Sequence, residues 1–219
     1  MKQIIFISMA LLLFSCKKKD KDIPDLAYDY FPLELGHYID YTVSDIKKVD
    51  FKWDTSDYQL RVLVDSLGED GTGKGIFFLN RYTRTSDTLP WTLIEIWTVH
   101  RASSRLEVNQ GNTLYVKMQY PPRRGQIWDG NALNSLPAEN YTVLDLDLKS
   151  VVGSASFDKT LRINQRNNIN LIDEEFREGV YARAVGLVQW TDIDLTYDGT
   201  GTAVDGYSYK QIYRGEGKL

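Results

Sequence analysis

The sequence predicts an all-β protein, built as a mainly antiparallel sheet that curls into a half-barrel or barrel, with at most one or two short helices. From residue 31 onward, apolar and polar residues alternate in short runs, and Gly, Asn and Asp cluster between the runs. No segment shows the apolar period of a long amphipathic helix. Alternation with a period of two is typical of strands with one wet face. About ten or eleven such runs at hairpin spacing favour a sheet that curls or closes.

The N-terminal residues predict secretion and lipid attachment. A basic start, an apolar run from Ile4 to Phe14 and the small Ser15 precede Cys16, which is the one cysteine of the chain. This order is typical of a secretion signal, and residues 13–16 resemble a bacterial lipobox, in which cleavage occurs just before a cysteine that receives lipid. The apolar run is shorter than the roughly 20 residues of a membrane span. We therefore expect residues 1–15 to be removed and Cys16 to anchor the protein in a membrane.

Residues 16–28 are predicted to form a lipidated tether, because they are rich in charge, contain Pro24 and have no apolar period. Its lysines can also contact anionic lipid head groups. Residues 29–219 then form a single β-rich domain that is long enough for its own core. The net charge of the chain is −4, and most of the positive excess lies in the tether. An acidic body argues against a nucleic-acid partner.

Four runs show the strand alternation most clearly: Tyr58–Val64, Leu114–Tyr120, Thr142–Leu148 and Ile193–Tyr197. In the second run, Lys117 is predicted to lie on the wet face. Loops rich in Gly, Asn and Asp separate the runs, at residues 68–75, 109–112, 167–168 and 198–201. Residues 131–140 have room for one short helix, which Pro137 would stop.

Two stretches, 93–97 and 181–188, are apolar on both faces. Such strands are covered on both sides, so we expect a second layer, a barrel interior or a partner to cover them. Gly186 in the second stretch predicts a bend or a close approach of the backbone.

Four segments resemble the motifs of a family of uncharacterised outer-membrane lipoproteins from Bacteroidota. They are FPLELGHY at 31–38, DTLPW at 87–91, GQIWDGNA at 125–132 and YARAVGLV at 181–188. Together they span most of the predicted mature chain. The resemblance implies an outer-membrane location, facing either the periplasm or the outside, and a β-rich fold. It implies no activity and no catalytic residues.

The residues that often carry catalysis are dispersed. His37 and His100 lie far apart, and no G-x-S-x-G motif presents a nucleophile. The glycine-rich loop Asp70–Gly75 leads into a strand, whereas a phosphate-binding loop leads into a helix. Glu95 lies in an apolar strand, where an ion pair with Arg61, Arg81 or Arg101 would compensate its burial. We therefore expect a protein that is not an enzyme and has neither catalytic residues nor a cofactor.

Metal ligands are also sparse, since two separate histidines and a lipidated cysteine do not suit zinc. Calcium is the alternative to consider, because it takes several oxygen ligands. Asp192, Asp194 and Asp198 lie close together in the sequence. The simpler interpretation is a solvated strand face followed by a turn, so we expect no metal.

Candidate binding residues are the aromatic side chains Trp53, Trp91 and Trp128 and the strand-end arginines Arg123 and Arg124. The first hypothesis is a non-enzymatic lipoprotein that binds an outer-membrane partner protein or a small apolar ligand, and it predicts an exposed apolar patch or a lined cavity. The alternative is a carbohydrate-binding surface lipoprotein, and it predicts two or three coplanar exposed rings.

Overall fold

The computed structural model describes residues 25–219, and the predictions for the signal peptide, Cys16 and most of the tether lie outside this range. A 3-10 turn at Tyr28–Tyr30 precedes twelve strands. These are β1 (His37–Val49), β2 (Lys52–Glu69), β3 (Gly75–Arg84), β4 (Thr92–Arg101), β5 (Arg105–Gln110), β6 (Thr113–Gln119), β7 (Ile127–Asp129), β8 (Asn140–Val152), β9 (Ala155–Ile169), β10 (Asp173–Ala182), β11 (Gly186–Tyr197) and β12 (Ala203–Lys218). The all-β prediction is confirmed. Within the described range, no helix has the length and apolarity of a membrane span.

The twelve strands form one antiparallel sheet in the order β6-β5-β4-β3-β2-β1-β12-β11-β10-β9-β8-β7. The first and last strands pair at the centre, so β6 and β7 are the edges. The two edges approach each other, because the Val116 N–H donates to the Gly130 carbonyl at 2.9 Å and the Trp128 indole N–H donates to the Val116 carbonyl at 2.8 Å. The sheet is therefore curled into a nearly closed barrel.

The segment before β1 packs into one end of this barrel, which we call the plugged end. Ala27 and Tyr30 are buried in the main core, and the Tyr28 ring meets the Tyr120 ring edge-on at 4.7 Å. The folded body therefore starts before residue 29, and the prediction that Ala27 and Tyr28 belong to the tether is wrong. Their apolar and aromatic side chains fill the barrel end that the strands alone leave open.

A set of ion pairs fastens the same segment. Arg183, in the turn between β10 and β11, lies 2.9 Å from Asp29, 2.7 Å from Asp147 on β8 and 3.0 Å from Asp25. The Tyr30 hydroxyl also donates to Asp147 at 2.9 Å. One guanidinium thus ties the N-terminal segment to the β10–β11 turn and to β8.

The helix predicted over 131–140 is absent, and this stretch forms turns. The Asn134 side chain donates to the Leu114 carbonyl at 2.9 Å and accepts the Leu136 N–H at 2.9 Å. The Asn131 N–H donates to the Asp129 carboxylate at 2.9 Å. Such local side-chain bonds compete with helical hydrogen bonding.

The stretch 181–188 is a hairpin and not one strand, because β10 ends at Ala182 and β11 begins at Gly186. The close approach predicted for Gly186 is confirmed. Its φ is +109°, and a Cβ at this position would lie 3.2 Å from Ile39 Cδ1 and 3.4 Å from Pro32 Cδ. Glycine therefore lets this turn close onto the plugged end.

The stretch 93–97 is covered on one side only by the described chain. Trp97 packs against the core, whereas Ile94 and Ile96 are 54% and 50% exposed. The barrel interior thus accounts for one face of β4. The other face has no cover from residues 25–219.

Candidate functional site

The barrel interior holds a cavity of about 280 Å³. Phe31 and Pro32 line it at the plugged end, and strands from both halves of the sheet supply the walls. The apolar wall includes Ile39, Val62, Leu79, Val108, Tyr181 and Leu187. Ligand sites are concave, mostly apolar and contain a few well-placed polar groups. This cavity has that composition.

A cavity follows from the number of strands. About eight strands make a barrel whose interior the side chains can fill, and the diameter grows with strand number. Twelve strands therefore enclose more space than their inward side chains occupy. The N-terminal segment fills one end, and the cavity is what is left in the middle.

Lys117 on β6 is the cavity's most unusual group. Its residue is 8% exposed. Its ammonium lies 4.3 Å from the Tyr115 ring centroid, 5.3 Å from the Trp190 ring and 5.8 Å from the Tyr141 ring. Burial, assisted by the charge of Arg177, lowers the pKa of Lys117 to about 7, although Asp192 and Glu139 act in the opposite direction.

A β-bulge lies at Lys117, whose side chain lines the cavity. Leu106 pairs with Met118 and Glu107 pairs with Val116, so Lys117 is the extra residue of β6 without a partner on β5. Bulges re-aim side chains and are common beside active sites. The prediction that Lys117 lies on a wet face is wrong, because this bulge interrupts the alternation of the strand.

Three further nitrogen donors of the cavity lining have no hydrogen-bond partner among the described residues: Arg81 Nε, Trp97 Nε1 and Gln211 Nε2. Arg81 Nε lies 3.5 Å from Glu95 Oε2, which is ion-pair distance without hydrogen-bond geometry. The Arg81 guanidinium stacks on Trp97, with 3.8 Å between its Cζ and the ring centroid.

Asp192 and two tyrosines of the lining have hydrogen-bond partners. Asp192 accepts from Arg177 Nε at 3.0 Å and from the Tyr207 hydroxyl at 3.1 Å. The Tyr41 hydroxyl donates to the Leu187 carbonyl at 2.8 Å, and the Tyr209 hydroxyl donates to Gln211 Oε1 at 3.1 Å. Burial raises the pKa of both tyrosines above its ordinary value, so both stay neutral at physiological pH.

The three candidate tryptophans do not form one platform. Trp128 is 6% exposed, donates to the Val116 carbonyl and meets the Tyr141 ring edge-on, so its prediction as an exposed binding residue is wrong. Trp91 lies between two arginines, at 4.7 Å from Arg61 Cζ and 4.3 Å from Arg84 Cζ.

Trp53, at the start of β2, is 38% exposed, and the Lys48 ammonium lies 5.2 Å from its ring centroid. Arg123 and Arg124 lie in the exposed connection between β6 and β7. The Arg124 side chain is well exposed and donates to the Leu144 carbonyl at 3.1 Å. A binding role for these three residues stays a prediction.

The aspartates proposed for calcium serve other contacts. Asp192 is bonded by Arg177, and Asp198 accepts the N–H groups of Thr200 and Thr202 within its own hairpin loop. Over residues 25–219, no three His, Cys, Asp or Glu side chains gather closely enough to hold an ion. The calcium alternative, with Asp194 as its third ligand, has no support from this part of the chain.

The residues considered for catalysis have backbone or ion-pair partners. Glu95 pairs with Arg81, one of the three arginines expected, but its side chain is 39% exposed and not buried. His100 Nδ1 bonds the Gly75 carbonyl at 2.7 Å, and His37 Nε2 bonds the Val185 carbonyl at 3.1 Å. In the described part of the chain, neither histidine bonds a serine.

No protein-family model and no curated protein matches this sequence. Among solved structures, a protein from Bacteroides fragilis classed as exported, with a YmcC-like fold, is 13% identical and matches with a TM-score of 0.39 over 84% of this chain and 98% of its own. A protein from Parabacteroides distasonis classed as a lipoprotein is 10% identical, with a TM-score of 0.40 over 86% of this chain and 98% of its own.

A domain from Vibrio parahaemolyticus classed as an outer-membrane lipoprotein-sorting protein is 10% identical, with a TM-score of 0.22 over 88% of this chain and 89% of its own. Two of these neighbours are thus exported or lipoprotein-class chains of Bacteroidales. All three TM-scores are below 0.5, so these matches assign neither a family nor an activity to this chain.

Proposed function

We propose that this protein is a non-enzymatic, lipid-anchored lipoprotein of the outer membrane that binds a small apolar ligand inside its barrel. The observation that carries the proposal is the cavity of about 280 Å³ with a largely apolar lining. When an apolar ligand fills such a space, its binding is stabilised by about 25 cal/mol for each Å² of apolar surface removed from water.

The position of the N-terminal segment supports the anchoring part of the proposal. The described chain enters the barrel at the plugged end, where Asp25 and Asp29 pair with Arg183. Residues 16–24 connect this end to the predicted lipid on Cys16, and a chain spans at most about 3.5 Å per residue. A lipid on Cys16 would therefore hold the plugged end within about 30 Å of the membrane.

The cavity is tested with N-phenyl-1-naphthylamine, a neutral apolar dye whose fluorescence rises in apolar surroundings. The full chain with Cys16→Ser, which carries no lipid, should bind the dye with saturation. Val62→Phe places a ring in the cavity and should weaken binding at least tenfold. The matched control Ile94→Phe adds the same ring to the exposed face of β4 and should bind like the parent.

Two outcomes would reject the cavity as a ligand site. One is no saturable dye binding by a chain that is folded by circular dichroism. The other is equal binding by Val62→Phe and Ile94→Phe, which would place the dye elsewhere on the molecule.

Docking of an outer-membrane partner protein is a second candidate, favoured by two hairpin tips. Phe51, between β1 and β2, is 95% exposed, and Leu171, between β9 and β10, is 93% exposed. Both tips lie at the end of the barrel opposite the plugged end. Phe51 also has φ = +65°, a conformation that is unfavourable for a bulky residue. Two exposed apolar tips on one rim suit an apolar groove on a partner.

The partner hypothesis is tested by affinity purification of the lipidated protein from native membranes. Phe51→Ser with Leu171→Ser should lose a stoichiometric partner that the parent retains. Val151→Ser changes an exposed apolar residue of β8 and serves as the control. Retention of the partner by the double variant, or its loss from the control, would reject docking at these tips.

A further inference from the structure

Lys117 forms no direct ion pair within the described chain, and Asp192 and Glu139 raise its pKa only from a distance. Its Nζ has no carboxylate within 4.0 Å among residues 25–219, and its neighbours are the aromatic rings of Tyr115, Trp190 and Tyr141. Taking an ammonium out of water is costly unless it is paired. Cation–π contacts with the three rings offset part of this cost. Burial accordingly lowers the pKa of Lys117.

The buried polar atoms of the cavity lining that lack a hydrogen-bond partner within the described chain are all donors. Arg81 Nε, Trp97 Nε1 and Gln211 Nε2 are all N–H donors. The acceptors left unpaired in the described chain include Asn109 Oδ1 and Gln165 Oε1, and neither residue lines the cavity. The lining carboxylate Asp192 already accepts from Arg177 and Tyr207. The described chain therefore leaves these three donors without an acceptor and Lys117 without a carboxylate in direct contact.

A ligand that matches this lining needs a negatively charged group that accepts hydrogen bonds and donates none. An ionised carboxylate has this property, whereas alcohols, amides and sugar hydroxyls also present donors. Ordered water can pair with the N–H donors, but it cannot neutralise Lys117. The missing counterion of Lys117 therefore favours an anionic ligand over a neutral polar one.

Lys117 is the bulged residue of β6 and has no partner on β5. The lysine, the stacked Arg81–Trp97 pair and Gln211 line the same space as the apolar wall. A ligand that fills this space meets both surfaces at once.

We propose that the ligand of the cavity is an amphipathic carboxylate, whose apolar chain packs against the inner wall while its carboxylate pairs with the Lys117 ammonium. This proposal rests on the proposed function of the cavity. It adds the chemical class of the ligand.

The test compares decanoate with 1-decanol, which share a chain and differ in the head group. Both displace the naphthylamine dye from the unlipidated full chain at pH 7. The parent should bind decanoate at least tenfold more tightly than 1-decanol. Lys117→Met should lose this preference and keep the affinity for 1-decanol. Lys48→Met removes a lysine that also lies over a tryptophan, but on the rim, and should change neither.

A second variant guards against misfolding of Lys117→Met. Trp97→Phe keeps an aromatic ring and removes the Nε1 donor, so decanoate should bind a few-fold more weakly and 1-decanol unchanged. Equal affinities of the parent for decanoate and 1-decanol would overturn the carboxylate proposal and leave the apolar cavity standing. Preference retained in both Lys117→Met and Trp97→Phe would also overturn it. Failure of both compounds and of the dye would reject the proposed function itself.

Discussion

Two buried charged residues on neighbouring strands, Glu107 and Lys117, differ in whether the described chain supplies a counterion. Glu107 on β5 is 2% exposed, and it accepts from Arg105 Nε at 2.7 Å and from the Lys74 ammonium. Burial alone would raise the pKa of Glu107, but the hydrogen bonds from Lys74 and Arg105 outweigh it and lower this pKa below its ordinary value. Lys117 on β6 is buried almost as deeply and has no such partner among residues 25–219.

The difference distinguishes a buried charge that has its counterions within the chain from one for which we propose a counterion on the ligand. Glu107 lies outside the cavity lining and has its counterions within the chain. Arg183 at the plugged end is equally complete, with three carboxylates.

Lys117 lines the cavity with three aromatic rings beside its ammonium, and Asp192 and Glu139 act on it without forming an ion pair. Glu178 on β10 is also buried without an ion pair in the described chain, but it lies outside the cavity lining. Because Lys117 faces the cavity, its missing partner points to an anion from outside the chain.

The largest expected effect is the loss of both counterions of Glu107. Lys74→Met combined with Arg105→Met leaves a buried carboxylate without a cation. We expect the free energy of unfolding at pH 7 to fall by about 3–5 kcal/mol, the usual cost of an uncompensated buried charge. Urea denaturation measures it. Lys74→Met alone keeps Arg105 and should cost clearly less; equal losses in the single and double variants would contradict the shared pairing.

The next effect is a pH dependence caused by Lys117. Its pKa is lowered to about 7 in the folded protein and is about 10.4 in an unfolded chain. Between these values the unfolded state binds more protons, so the free energy of unfolding rises with pH. From pH 7 to 9.5 the rise should reach up to about 3 kcal/mol. Chemical denaturation at several pH values measures it.

Lys117→Met is the control for this slope and should flatten it. The measurement stops below pH 10, because the raised pKa values of Tyr41 and Tyr209 make the unfolded state lose protons first above that point. Stability then falls with pH and opposes the lysine effect. The same slope in Lys117→Met as in the parent would contradict the burial of an unneutralised lysine.

The smallest expected effect concerns the plugged end. Arg183→Gln removes the group that joins Asp25, Asp29 and Asp147, and should lower the free energy of unfolding by about 1–2 kcal/mol, since these carboxylates are partly exposed and can be hydrated. Hydrogen exchange should show faster exchange at residues 27–31. Arg124→Gln, at an exposed arginine, is the control. Unchanged exchange at residues 27–31 in Arg183→Gln would contradict the fastening role.

The sheet could be predicted from the sequence because strand alternation is a local property. The run Tyr58–Val64 shows it, with an unbroken register to β1 and Leu60 fully buried. In Thr142–Leu148 register shifts interrupt the alternation, and Leu148 is exposed. Gly186 marks the close approach next to Ile39. The ion pair of Glu95 was predictable as a choice among three arginines, since a charge in an apolar strand needs a partner. Its identity depends on the register of β3 and β4.

The first hypothesis predicts a lined cavity as one possibility, but the residues that line it could not be predicted, because its walls come from strands far apart in the chain. Lys117 reads as a wet-face residue of β6 until the register with β5 reveals the bulge at this position. Trp97 reads as an ordinary member of the apolar stretch 93–97, and the missing partners of Trp97 and Gln211 become evident only in the closed barrel. The burial of Trp128 similarly depends on the approach of the two sheet edges.

The measurement that tests the central claim most directly is the pKa of Lys117 with and without decanoate, followed by NMR of the lysine side chains and assigned with Lys117→Met. Without ligand, the pKa should be near 7. A carboxylate beside the ammonium favours its charged form, so saturating decanoate should raise this pKa by at least one unit. A pKa that decanoate leaves unchanged, or an ordinary lysine pKa in the free protein, would contradict the account.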